Sequence, residues 1–199
     1  MSDITTSGRY ISRGVTVRVS QLGDKKINQT CEKAIANFLR GDRDALAIIY
    51  DSMARMIFSV SYSITESYQD AEDVLQDTMI EIAKYAHNYR SGSNAKAWIM
   101  AMARHRSIDV IRKRKKVVSA DDMNPDNTSG SPYDFSRLEV LDMLNTLDEE
   151  KRQIIVLRLY AELPYKDISS VMGLSVSAAQ KKYQRAIRTL KDYFRRIGY

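Results

Sequence analysis

The sequence predicts an all-α protein of two small helical domains joined by a flexible linker, and three observations predict it. Helix formers dominate while helix breakers are sparse, with 8 glycines and 3 prolines among 199 residues. Apolar residues recur at helical spacing in two blocks, residues 30–116 and 137–199. Between the blocks, residues 117–136 are polar and acidic, with Asp121, Asp122, Asn124, Pro125, Asp126, Asn127, Gly130 and Pro132, which is linker composition. The expectation is two units on a tether, free to sit at separate points on a partner.

Bulk properties narrow the class. A chain with 44% hydrophobic and 28% charged residues is that of a soluble globular protein, and no apolar run approaches the roughly 20 residues that span a bilayer. Met1-Ser2-Asp3-Ile4-Thr5-Thr6 lacks the charged and apolar regions of a secretory signal. The single cysteine, Cys31, excludes an internal disulfide and any zinc site of several thiolates, so a reducing cytoplasm is expected. The net charge of +6 suits a nucleic-acid partner, and its distribution says more than its total.

Residues 1–29 fit neither block. Val15, Val17 and Val19 alternate with Thr16 and Arg18, which hints at a short strand, but one strand without a partner predicts a poorly ordered segment. The first helix is expected from about Thr30 or Cys31 through Leu39. Gly41-Asp42 interrupts it, and a second helix runs from about Asp44 to Ile64. Cys31 has no visible activating partner, which points to packing rather than redox sensing.

A third helix starts near Asp70. Ala71, Val74, Leu75, Thr78, Met79 and Ile82 make its inward stripe, while Asp70, Asp73, Gln76, Asp77 and Glu81 make an outward acidic face. Taken alone, such a face is more often solvated surface that also suits the positive end of the helix dipole. After the break Tyr89-Arg90-Ser91-Gly92-Ser93-Asn94, a fourth helix is expected from about Ala95, with Trp98, Ala101, Met102 and His105 on one side. Trp98 reads as a core residue first and a stacking platform second, with Tyr89 the better stacking candidate. Arg104, Arg106, Arg112, Lys113, Arg114, Lys115 and Lys116 crowd the C-terminal half, opposed only by Asp109. That cluster exceeds what helix capping uses, and a phosphate backbone is its natural counter-surface.

In the second block, the stretch Leu163 to Ser177 reads as a short helix and a glycine-containing turn, followed by a longer helix. This is a helix-turn-helix, which places its second helix in the DNA major groove. Ala179, Tyr183, Ala186, Ile187, Leu190 and Phe194 would face a core, and Lys181, Gln184, Arg185, Arg188 and Arg195 the other side. Asp192 is the only acid between Gln180 and Arg196. Mixed signs would serve solubility equally well, so an almost purely cationic face favours DNA. No Gly-rich phosphate loop, His-Glu-x-x-His or nucleophile motif occurs, so no catalytic residue, metal or cofactor is expected.

With both blocks in view, the chain resembles the extracytoplasmic-function (ECF) sigma factors of bacterial RNA polymerase. Asp70-Ala71-Glu72-Asp73-Val74-Leu75-Gln76-Asp77 almost completes the family's second-region motif. Trp98-Ile99-Met100-Ala101-Met102-Ala103-Arg104-His105-Arg106-Ser107-Ile108-Asp109-Val110-Ile111-Arg112 is similar to its aromatic-led helix. Leu147-Asp148-Glu149-Glu150-Lys151-Arg152 with the following helix-turn-helix resembles its fourth region. The resemblance covers residues 33–116 and 137–196, in the family's order.

It implies a sigma region 2 bundle and a sigma region 4 helix-turn-helix. Asp70, Asp73, Gln76 and Asp77 would dock on the clamp helices of the polymerase's largest subunit. Tyr89, Asn94, Trp98, Arg104, His105, Arg106, Arg112, Lys113 and Arg114 would recognise and melt the −10 element. Ser177, Gln180, Lys181, Lys182, Gln184, Arg185 and Arg188 would read the −35 element. The implied partners are core RNA polymerase and promoter DNA, with no small-molecule substrate. Many members are also held by an anti-sigma factor, often membrane-bound.

Departures from the family pattern fall on base-reading positions. His105 stands where many members carry Asn, and reads equally as a base contact or as a partly buried residue packed beside Trp98. Ser177, Ala178 and Ala179 replace Gly-Thr-Val, and Gln180-Lys181-Lys182 replaces Lys-Ser-Arg, so the family's base preference does not transfer. The competing class is a stand-alone helix-turn-helix regulator binding a two-fold operator, which leaves the acidic third-helix face unexplained. A polymerase-binding adaptor without melting activity is a further alternative.

Overall fold

A computed structural model describes residues 9–12, 15–18, 21–118, 144–196 and 198. Four helices make the first unit: α1 (Gln21–Leu39), α2 (Ala45–Thr65), α3 (Tyr68–Tyr85) and α4 (Ala95–Val118). The second unit holds α5 (Glu149–Ile155), which continues as a π-helical turn (Val156–Tyr160), then α6 (Tyr165–Met172) and α7 (Val176–Arg196). The expected all-α architecture holds for both units.

The N-terminal expectation needs correcting. The strand suggested by Val15 and Val17 does have a partner: β1 (Arg9–Ser12) pairs antiparallel with β2 (Val15–Arg18), matching Arg9 to Arg18 and Ser12 to Val15. The alternation that marks β1 is only Tyr10 and Ile11, too short to stand out in the sequence. Helix α1 also begins at Gln21 rather than Thr30, running through Gly23 and Lys25 to Gln29 before the stretch first expected to be helical. Val19 and linker residues 119–136 lie outside the described residues, as does the start of the second block, 137–143.

Local chemistry sets the boundaries. Ser67 Oγ accepts from the Asp70 N–H at 3.3 Å and caps α3, two residues earlier than its apolar stripe suggests. Asp148 caps α5 by accepting from the Lys151 N–H at 2.9 Å. Gly173 ends α6 at φ +66°, where a Cβ would meet no atom within 4 Å; the left-handed backbone, not space, demands glycine there.

Helix α2 is the axis of the first unit and packs against α1, α3 and α4. Its Ile49, Met53, Ile57 and Phe58 are fully buried, and Ile82, Ile99 and Met100 close over them. In α7, Ala179, Tyr183, Ala186 and Leu190 are buried as expected, but Phe194 is 37% exposed and meets the Tyr193 ring edge-on at 5.8 Å. It sits on the last turn, beyond the reach of α5, so helical spacing alone overestimates the inward stripe.

The two units do not stand apart. Their buried apolar residues form one continuous cluster, with α6 packed on α4 and α5 on α2. Arg152, buried on α5, donates to the Ser63 carbonyl of α2 at 3.4 Å and pairs with Glu66. The sequence pattern marks each helix's apolar face but not the polar contacts that join two such faces.

Candidate functional site

Three groups of the expected residues form separate surfaces. On α3, Asp73, Gln76 and Asp77 are exposed side by side, with Gln69 Nε2 donating to Asp73 Oδ1 at 3.2 Å. Asp70 and Glu81 are turned away from this face and toward α4. Asp70 pairs with Arg114 at 2.6 Å, and Glu81 with Arg106 at 2.6 Å. That pairing raises the Arg106 guanidinium, chiefly through the Glu81 hydrogen bond. Ile80 is 65% exposed on the same stripe, one turn beyond Gln76 and Asp77. Sequence reasoning missed it because an apolar residue reads as core. Its i+4 and i+3 spacing from those two residues was the available signal.

The second surface joins the loop before α4 to that helix. Tyr89 Oη donates to the Ser93 carbonyl at 2.7 Å, and the Tyr89 ring tilts against Trp98 with centroids 5.4 Å apart. Burial raises the Tyr89 hydroxyl, opposed by the Ser93 bond and reinforced by Glu32. Trp98 is half-buried, with its ring tilted against Tyr89. Asn94 caps α4 by accepting from the Ala97 N–H at 3.1 Å, and its amide donates to Asp167 Oδ2 of α6 at 2.5 Å. Arg104 Nε donates to Gln153 Oε1 of α5 at 2.9 Å, and burial lowers its guanidinium against the raising influence of Glu149. Two of the expected −10 contacts thus face the second unit.

His105 resolves one open alternative. Its side chain is 76% exposed, with Nδ1 3.8 Å from Asp109 Oδ2, so it does not pack beside Trp98. The buried side of α4 is instead built from Lys96, Ile99, Met100, Ala103 and Ser107. Asp109 also holds Arg112 at 2.7 Å. Lys113 and Lys115 are exposed, while Arg114 reaches the Thr65 carbonyl at 3.4 Å besides Asp70. Among the described side chains of this cluster, Arg112, Lys113 and Lys115 are exposed to solvent.

The third surface is α7. Ser177, Gln180, Lys181, Gln184, Arg185 and Arg188 are exposed along it, and Lys182 turns back to pair with Glu150 of α5. Ser175 Oγ accepts from the Ala178 N–H at 3.1 Å and sets the helix start. A helix presenting its N-terminal half with cations and amides toward solvent can enter a major groove and hydrogen-bond to base edges and phosphates.

Elsewhere, Cys31 is buried, its thiol pushed up to about 11 by burial against the lowering effect of Lys96, so it is uncharged at neutral pH. Among the described residues, no group of three or more His, Cys, Asp or Glu could hold a metal ion. No helix among them is long and apolar enough to cross a membrane.

Comparison with known proteins gives the same two regions. The family model of Sigma-70 region 2 matches residues 49–117, and that of Sigma-70, region 4 matches residues 137–190. The ECF RNA polymerase sigma factor SigM of Bacillus subtilis is 30% identical over 154 residues, covering 74% of this chain and 94% of SigM. SigE of Mycolicibacterium smegmatis is 25% identical over 170 residues, 77% of this chain and 64% of SigE, so the chain spans less than two thirds of that relative. The fold is shared with CnrH, solved with the cytosolic domain of CnrY, at a TM-score of 0.63 and 19% identity over 83% of this chain and 97% of CnrH. It is also shared with the sigma factor RpoE of Bartonella quintana, solved with the anti-sigma factor NepR, at 0.62 and 22% over 73% of this chain and 95% of RpoE. With both sigma-70 regions in order on one chain and 30% identity along nearly the whole of SigM, this protein belongs to the ECF RNA polymerase sigma factors.

Proposed function

We propose that this chain is a promoter-specificity subunit of RNA polymerase, working in the cytoplasm, with the polymerase supplying the chemistry. The observation that carries the reading is the separation of charge: an exposed acidic face on α3 and an exposed cationic face on α7. A protein partner takes the first. Asp73, Gln76 and Asp77 dock on the clamp helices of the largest subunit, with Ile80 as the apolar anchor such interfaces use.

Duplex DNA takes the second. Gln180, Lys181, Gln184, Arg185 and Arg188 read the −35 element from the major groove, with Gln suited to adenine and Arg to guanine. Tyr89, Trp98 and the exposed His105 receive the −10 strand, while Asn94 and Arg104 hold the second unit against the first. Arg112 and Lys113 hold its backbone, and a base lifted from the stack costs a few kcal/mol that stacking must offset. Arg106, Arg114 and Asp70 act inside the fold, tying α3 to α4. An anti-sigma factor is a further partner class, as in the complex of RpoE with NepR.

The test is transcription from a genomic fragment library by core polymerase with and without the purified chain, followed by mapping of start sites. New starts sharing elements near −35 and −10 support the reading. Polymerase binding without new starts indicates an adaptor, and two-fold operator binding without polymerase indicates a stand-alone regulator.

A further inference from the structure

The loop before α4 is tied to a helix that precedes the match to the Sigma-70 region 2 model. Region 2 begins at residue 49, yet Glu32 on α1 accepts through Oε1 from the Gly92 N–H at 2.5 Å and from Ser91 Oγ at 3.4 Å. One turn earlier on the same helix face, Asn28 Oδ1 accepts from the Lys96 N–H at 3.3 Å, in the first turn of α4. Residues 90–93 are all exposed, and their other described hydrogen bonds are internal: Ser93 to the Arg90 carbonyl, and Tyr89 to Ser93. Glu32 is therefore the side chain of α1 that ties this loop to the bundle, beside Tyr89, which holds Ser93 and rests on Trp98.

Resting on the proposed −10 role of that loop, we infer that Glu32 is a positioning residue for −10 discrimination, acting through the Gly92 amide rather than on DNA. A carboxylate bound to a backbone N–H makes a charge-assisted bond, stronger than a neutral one. A loop already held in its receiving geometry loses less freedom when a base enters, and rejects a wrong base more sharply. The same carboxylate repels a phosphate backbone, so its charge and its acceptor oxygen act in opposite directions on strand binding. Glu32→Gln separates the two, because glutamine keeps an acceptor and removes the charge.

The experiment uses core polymerase reconstituted with the full chain. Open-complex formation is measured on one promoter recovered by start-site mapping and on its single-base −10 variants. Glu32→Ala is expected to lower discrimination at one or more −10 positions by about tenfold, the loss of one charge-assisted bond. Core-polymerase affinity and binding to a duplex carrying only the −35 element stay unchanged. Glu32→Gln is expected to keep discrimination and to bind the −10 strand at least as tightly as the wild type. Full discrimination in Glu32→Ala, or a loss in Glu32→Gln equal to that in Glu32→Ala, overturns the inference. A control deletes Ser91 and Gly92, which removes the loop's geometry, with its fold checked by the unfolding midpoint. If it retains wild-type discrimination, the −10 role of the loop falls and takes this inference with it. If it loses discrimination while Glu32→Ala does not, only the inference falls.

Discussion

Removing the Arg152 guanidinium is expected to destabilise the protein far more than removing its acidic partner. Arg152 is 9% exposed and donates to the carbonyls of Leu144 and Leu147 at 3.2 Å each and of Ser63 at 3.4 Å, besides pairing with Glu66. Leu144 O also accepts from the Leu147 N–H at 3.1 Å, so Arg152→Ala strips it of its second donor only. The carbonyls of Leu147 and Ser63 lose a buried donor, at about 1–3 kcal/mol for each buried group left unpaired. The lost packing of the arginine stem adds to this. Glu66 is 61% exposed, which places the ion pair itself in the range of about 0–1 kcal/mol. Glu66 sits at φ 54°, and alanine keeps the same Cβ, so Glu66→Ala isolates the carboxylate without changing backbone strain. Arg152→Ala should therefore cost about 3 kcal/mol and lower the thermal midpoint by roughly 6–12 °C for a chain of this size. Glu66→Ala should cost no more than about 1 kcal/mol. Because Ser63 belongs to α2 and Glu66 caps that helix, the arginine variant also loosens the second unit from the first. Urea and thermal unfolding of both variants give the comparison. Equal costs for the two substitutions, or less than about 1 kcal/mol for Arg152→Ala, would refute this reasoning.

Three further outcomes are expected. Replacing Asp73 and Asp77 together by lysine should abolish promoter-dependent transcription while leaving the unfolding free energy within about 0.5 kcal/mol of wild type, since both side chains are exposed; pull-down with core polymerase checks it, and retained binding would remove the acidic face from the docking surface. Arg185→Ala should cost about 1–3 kcal/mol of −35 affinity and relax one base position if Arg185 reads a base, or weaken all sequences evenly and lower the salt slope by about one if it holds phosphate; competition binding at several salt concentrations decides. Asp148→Ala should cost about 1 kcal/mol at neutral pH through loss of the α5 cap. Burial raises the Asp148 carboxyl, but the bonds from the Lys151 main chain and ammonium outweigh it, leaving a net lowering. The stabilisation is thus present above the ordinary aspartate value and lost as pH falls through the lower folded one. The gap between wild type and variant should close in acid, and a gap constant with pH would reject the account.

Most helices were legible because each carries its own signal: an apolar stripe, or a stop such as the glycine-containing turn at Gly173. The α3 and α7 faces were legible for the same reason, since exposure at Asp73, Gln76, Gln184 and Arg185 follows from helical spacing alone. What the pattern could not show is how charges on different helices pair. Asp70 read as part of a docking face but ties α3 to Arg114, and Arg106 read as a DNA contact but holds Glu81. Lys182 read as a groove contact but pairs with Glu150. Each depends on a second helix crossing at one particular place, which spacing within a single helix does not encode.

The same limit hid what the early turns of α1 touch. Glu32 and Asn28 carry no motif, and their spacing marks only a polar face of a helix. Their meaning arises when that face meets the backbone of residues 92 and 96. A side chain that bonds to main chain leaves no complementary residue type to look for, because every non-proline residue offers the same N–H. Positioning residues of this kind are therefore the part of a site least readable from sequence. The parts that face a partner, by contrast, must advertise charge, as α3 and α7 do.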